Sequence, residues 1–154
     1  MTKTVLVTGG AGFIGAYVTR RLLKEGLRVV VYDLHPNGNV LDVLMPHHRD
    51  LPNAPVLVTG EITDAFRLLR TCREHGVDAI VHLASPLTMD VVANPATGVR
   101  DICFGTHTVF ATAREAGVAK VVWTSSVAIY GPIDRYPPGP LAEDALHDPP
   151  NLYG

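Results

Sequence analysis

Short apolar runs alternate along the chain with longer stretches of helical period. The runs are Thr4–Thr8, Val29–Tyr32, Val56–Thr59, Ala79–Ala84 and Val121–Thr124, rich in valine and continuous rather than alternating. Runs of that kind belong to strands covered on both faces of a parallel sheet, so all five are predicted to be buried. The intervening segments carry helix punctuation. One helix is predicted from Gly12 to Glu25, with Gly26 ending it in a left-handed conformation. Another begins at the capping pair Thr63-Asp64 and stops at Gly76. A third opens at Asn94-Pro95, a capping residue before a first-turn proline, and closes at Gly117. Its Val99, Ile102, Cys103, Thr106, Phe110 and Ala113 recur at three- and four-residue steps, which predicts one buried face. Strand–helix–strand repeated in this way gives an α/β fold, a doubly wound parallel sheet with flanking helices and right-handed crossovers. From Gly131 to Gly154 the period disappears and prolines accumulate. That stretch is either a surface linker or an active-site loop leading into another element.

The turn between the first strand and the first helix is chemically specific. "VLVTGGAGFIG" sets Gly9, Gly12 and Gly15 between them. The first glycine permits the tight turn, the second lets backbone approach a pyrophosphate, and the third lets helix and strand pack closely. The helix start offers free N–H groups and a partial positive charge to phosphates. Asp33 closes the second strand 24 residues after Gly9, where a carboxylate can accept hydrogen bonds from the adenosine ribose. A 2′-phosphate there meets a like charge, and Leu34 follows where a phosphate wants arginine, so NAD is expected over NADP. By analogy with dinucleotide-binding sheets, the strands are expected in the order 3-2-1-4-5.

Composition narrows the rest. At 154 residues, 47% hydrophobic and 18% charged with net charge −2, the chain suits one globular domain. Its scattered Lys and Arg argue against nucleic acid, and nothing in it reads as a membrane span. The apolar run before the first glycines is only three residues long, too short for a signal peptide, so a cytoplasmic location is expected. Cys72 and Cys103 have no partners at metal or redox spacing and are expected to be small core residues. His47-His48 lack a third ligand, so no metal site is expected. His82 is expected to be a packed, hydrogen-bonded histidine rather than a base. Gly105, inside a helix, predicts close approach of a backbone or of the cofactor.

With "TGGAGFIG", Asp33, "VTGEITD", "HLAS" and "WTSSVAIYG" in order, the chain resembles an extended short-chain dehydrogenase/reductase of the NAD-dependent epimerase/dehydratase family. The resemblance covers essentially the whole chain. It implies a Rossmann-type NAD-binding domain over residues 1–154, with 131–154 as the active-site loop and the C-terminal substrate domain absent. It implies that Gly9, Gly12, Phe13, Ile14 and Gly15 surround the pyrophosphate, Asp33 and Leu34 the adenosine ribose, and Glu61 and Ile62 the adenine. The family more often has aspartate at the position of Glu61. Leu83, Ala84 and Ser85 would line the cofactor, with Thr124 and Ser125 near the nicotinamide. Ser126 matches the catalytic serine or threonine, and Tyr153 the tyrosine of a Tyr-x-x-x-Lys motif. Ile102 stands where the family often carries a supporting asparagine, and the chain has no lysine after Tyr153.

Such chemistry needs a hydride acceptor and a proton relay on one carbon. A relay tyrosine must be pulled from a pKa of about 10 towards 7, about 4 kcal/mol in favour of phenolate. A nearby lysine and the oxidised nicotinamide are the obvious cations. The chain is therefore expected to be the front part of a longer enzyme and inactive alone. Three functions are compatible. The first is an epimerase or dehydratase acting on a nucleotide sugar through a transient ketone, as a homodimer when full length. The second is a carbonyl reductase of small ketones or aldehydes, suggested by "HLASP". The third is a non-catalytic dinucleotide-binding module.

Overall fold

The computed structural model describes residues 3–37 and 40–154. Its elements run β1 (Thr4–Thr8), α1 (Phe13–Lys24), β2 (Arg28–Asp33), α2 (Val40–Leu44), β3 (Val56–Thr59), α3 (Ala65–His75) and β4 (Ala79–His82). Then follow α4 (Thr88–Ala93), α5 (Pro95–Val99), a π-helical turn (Arg100–Phe104), α6 (Gly105–Ala116) and β5 (Lys120–Trp123). The five strands are parallel and lie in the order β3-β2-β1-β4-β5, as predicted. The point where the order reverses, between β1 and β4, is where such sheets open a crevice for ligands.

The sheet separates two cores. Leu6, Val30, Tyr32 and Ile80 point to one face, where Leu68 and Cys72 of α3 and Val109 and Ala113 of α6 cover them. Val5, Val7, Val29 and Val31 point to the other, under Ala16 and Leu23 of α1 and Leu41 of α2. Alternate residues of one strand thus enter different cores, which is why the strands read as unbroken apolar runs. Truncating a fully buried member such as Ile80 to alanine costs about 2–5 kcal/mol. The helix ends follow the expected chemistry. The Asp64 carboxylate caps α3 by accepting from Arg67 N, the Asn94 side chain caps α5 by accepting from Thr97 N, and Gly26, Gly76 and Gly117 are all left-handed.

Four expectations are corrected. The runs at Val56–Thr59 and Val121–Thr124 are not buried on both faces. They form the two edges of the sheet, and Val122 and Trp123 are about half exposed. Of the face predicted for the long helix, Ala113 is buried and Ile102 and Thr106 are half-buried, but the buried side is centred elsewhere. Val99, Cys103 and Phe110 are exposed, whereas Gly98, Gly105, Thr108, Val109, Thr112 and Ala113 are buried. The reason is packing distance: a helix pressed against α3 and the sheet accepts glycine, threonine and alanine on its inner side, and its bulky apolar residues move to the next face. Cys103 therefore lies at the surface, while Cys72 is a core residue as expected, with burial pushing its thiol up to about 11. Finally, the protein group that approaches Gly105 is a side chain and not a backbone: an added Cβ would stand 2.7 Å from Ile62 Cγ2.

Candidate functional site

All the predicted cofactor residues except Phe13, Ile14 and Gly15 lie in loops or strand ends at the C-terminal edge of the sheet, and those three open α1 just beyond it. Gly9 adopts φ 66°, and a Cβ there would sit 2.9 Å from Ala84 N and 3.0 Å from Ala84 Cα. The turn therefore packs directly on the end of β4, and only a residue without a side chain fits. At Gly15 a Cβ would run into Gly10 Cα at 2.7 Å, so the first turn of α1 crosses tightly over the loop. Gly12, at the start of α1, has no side chain that could cap the helix. The first N–H groups of α1 are thus left without a side-chain cap, beside a turn walled by backbone, a cradle that suits a pyrophosphate. Phe13 and Ile14 stand in front of it, 69% and 61% exposed, an unusual place for large apolar groups unless something covers them.

Asp33 is held at this cradle. Its Oδ2 accepts from Ala11 N at 3.1 Å and its Oδ1 from His35 N at 3.0 Å. The carboxylate is thereby tied both to the glycine-rich turn and to its own loop, with lone pairs left for ribose hydroxyls. Leu34 is half exposed at the rim beside it. Glu61 and Ile62 follow β3, and their loop is fastened to β2 because Gly60 N donates to Asp33 O at 2.9 Å.

The β4 side is set by residues that the sequence reading did not assign to the site. Leu83 N and Ala84 N both donate to Thr8 Oγ1, at 3.1 and 3.2 Å. With two acceptor positions filled, the Thr8 hydroxyl proton goes to His82 Nδ1, 2.7 Å away. His82 must then carry its own proton on Nε2 and donate it to Thr106 Oγ1 at 3.2 Å. Burial pushes the His82 pKa down to about 4, so the ring stays neutral, a packed hydrogen-bonded histidine as expected. Thr8 stands openly in "VTGG"; Thr106 had no local signal, because only the fold brings it to β4.

At the end of β5, Ser125 is exposed and Thr124 Oγ1 reaches His82 O at 3.5 Å. Ser126 Oγ accepts from Ala128 N at 3.2 Å, starting a short 3-10 turn over Val127–Ile129. Because that bond uses only a lone pair, the Ser126 proton remains available for donation. The segment 131–154 is a folded loop, not an extended linker. Tyr136 Oη accepts from Gly131 N at 2.9 Å and donates to Leu146 O at 2.8 Å. Arg135 pairs with Asp148, and Tyr130 meets Tyr136 and His147 edge-on. The loop closes on its own start: Asp148 N donates to Ile129 O at 3.1 Å, and Gly154 packs on the Ala128 carbonyl. Tyr153 and Ser126, 27 residues apart in sequence, thus belong to one loop cluster.

The model of the NAD dependent epimerase/dehydratase family matches residues 5–154. Among curated relatives, the UDP-glucose 4-epimerase of Azospirillum brasilense is 35% identical over 151 residues, which are 97% of this chain and 40% of that protein. Among solved structures, UDP-glucose-4-epimerase from Stenotrophomonas maltophila, with bound NAD and formylated UDP-arabinopyranose, superposes with a TM-score of 0.84 at 30% identity, over 98% of this chain and 44% of that one. The dTDP-glucose 4,6-dehydratase DesIV from Streptomyces venezuelae, solved with NAD, gives 0.82 at 34% identity, over 97% and 47%. The chain therefore spans less than half the length of these relatives.

Proposed function

Since the chain belongs to the NAD dependent epimerase/dehydratase family, we propose that it forms the NAD-binding part of a cytoplasmic enzyme that acts on a nucleotide sugar. The observation that carries this reading is the Asp33 carboxylate, bonded through Ala11 N to a glycine-rich turn in which Gly9, Gly10 and Gly15 leave no room for a Cβ. NAD, when bound, supplies a reversible hydride acceptor. The amides at the start of α1 hold the pyrophosphate, Asp33 the adenosine ribose, and Glu61 and Ile62 the adenine. Leu83, Ala84, Ser85, Thr124 and Ser125 line the remainder. Ser126 donates its free proton to the substrate oxygen, and Tyr153 takes the proton of the hydroxyl as it becomes a ketone. An epimerisation would be completed by hydride return to the opposite face of the ketone, with the proton restored to its oxygen; a dehydration would need loss of water beside the ketone and then hydride return to the resulting double bond. The sugar nucleotides named for the relatives make UDP- or dTDP-linked hexoses the substrates of first choice.

The intact natural protein should bind NAD at least about tenfold more tightly than NADP, because a 2′-phosphate meets the Asp33 charge. Asp33→Ala should weaken NAD by about tenfold or more, since bonds to a charged group contribute about 1.5–3 kcal/mol, and should narrow the preference. Calorimetric titration measures both. Incubation with UDP-glucose should produce an epimer without net NADH formation. Steady consumption of added NADH with small ketones favours a carbonyl reductase instead. NAD binding with no turnover of any sugar nucleotide favours a binding module.

A further inference from the structure

The reading of Glu61 and Ile62 as the adenine edge leaves open what aims them. Tyr32 lies in β2, 1% exposed, and its ring runs beneath the β3–α3 loop. Its hydroxyl donates to Glu61 O at 3.0 Å. The same oxygen accepts from Asp64 N at 3.1 Å, so both lone pairs are occupied. The ring lies so close to Gly60 that a Cβ there would collide with Tyr32 Oη, Cζ and Cε2. Residue 60 is thus a glycine for the sake of the tyrosine below it.

None of the described peptide bonds is cis, and in a trans peptide the C=O and the following N–H point in opposite directions. A hydroxyl rising from the core to the Glu61 carbonyl therefore turns the Ile62 N–H outward. That N–H makes no hydrogen bond among the described residues. Beside it stands the exposed carboxylate of Glu61. An outward acceptor next to an outward donor is the complement of one edge of adenine, whose amine donates and whose neighbouring ring nitrogen accepts.

We propose that Tyr32 is a positioning residue for base specificity: by holding the Glu61–Ile62 peptide it fixes the donor that tells adenine from a base with the reversed edge. This rests on the cofactor reading above, and Tyr32 itself touches no ligand. Burial pushes its own pKa up to about 12, which keeps it a neutral donor at working pH.

The test compares NAD with nicotinamide hypoxanthine dinucleotide, in which the ring nitrogen carries a proton and a carbonyl replaces the amine. Dissociation constants are measured on the wild-type protein, on Tyr32→Phe and on Gly60→Ala, with thermal melts to follow folding. Wild type should prefer NAD by about tenfold or more. Tyr32→Phe should shrink that preference by about three- to tenfold, entirely through weaker NAD binding. Gly60→Ala, which displaces the ring, should move it the same way. An unchanged ratio in whichever variant folds overturns the proposal, as does a wild type that binds both dinucleotides equally. A loss of affinity for both dinucleotides to the same extent also overturns it, since that marks general loosening. If wild type binds neither dinucleotide, the cofactor reading itself falls and this inference falls with it.

Discussion

Thr8 has one proton to give and three neighbours competing for its oxygen. Two backbone donors from the end of β4 take the lone pairs, so the proton goes to His82 and fixes that ring's tautomer. The histidine then spends its own proton on Thr106 and joins β4 to α6. A neutral, fully bonded histidine has no room for a second proton, and this makes stability depend on pH. Its folded pKa, about 4, lies below the ordinary 6.5. Between those values the unfolded chain binds more protons than the folded one, so stability falls as pH falls. The contribution is complete above pH 6.5, declines below it and is gone near pH 4, with an upper size of about 3 kcal/mol. Urea melts at pH 7.5 and 5 should show the loss, and His82→Gln should show a flatter profile. A profile unchanged by the substitution would remove His82 from the account. The residue itself was legible as a packed histidine; its partners were not, because Thr8 and Thr106 are 74 and 24 positions away.

Elements were readable wherever local chemistry marks their ends. β1 and β3 have the predicted limits, and α3 starts and stops at the predicted cap and glycine. The short helices α2 and α4 escaped notice because five or six residues are too few to display a period. The long helix misled for a different reason. Apolar spacing points to the bulkiest residues, while close packing against α3 selected the smallest, and the π-helical turn at Arg100–Phe104 breaks the uniform period on which spacing relies. Glycine shows the same contrast between local and tertiary need. Gly26 meets nothing within 4 Å and is required only for its φ of 76°, so Gly26→Ala should cost about 1–2 kcal/mol and leave cofactor binding alone. Gly15 has ordinary helical φ, yet a Cβ would strike backbone of the glycine-rich turn. Gly15→Ala should cost about 1–3 kcal/mol and also weaken NAD binding by more than about tenfold. Chemical denaturation beside NAD titration separates the two variants; equal effects on binding would refute the distinction.

Across the whole molecule, the apolar surface is unevenly shared. Val99, Phe104, Phe110, Val122 and Trp123, around α5, α6 and the β5 edge, are each about half exposed, and Phe110 meets Trp123 edge-on with ring centroids 6.4 Å apart. A bare sheet edge beside large apolar groups is a surface that proteins ordinarily cover. We propose that the homodimer expected from the resemblance uses such a surface. Phe110→Glu should then shift the intact protein towards monomer in sedimentation equilibrium while leaving its NAD affinity within about twofold. An unchanged dimer, or no dimer in wild type, would count against that surface.

The strand order follows by analogy with dinucleotide-binding sheets; sequence alone determined the number of strands, the glycine-rich turn and the carboxylate bonded to it. Each of these is written in contiguous residues: an apolar run, a capping pair, a glycine where a Cβ cannot fit. Tertiary structure alone decided which helix face is buried, which strands are edges, and which side chains hold the site in shape. Thr8, His82 and Thr106 form one chain of bonds, and Tyr32 governs Gly60 and Glu61. Those choices depend on distances between segments remote in sequence, and hydrophobic pattern carries no measure of how closely two elements will approach.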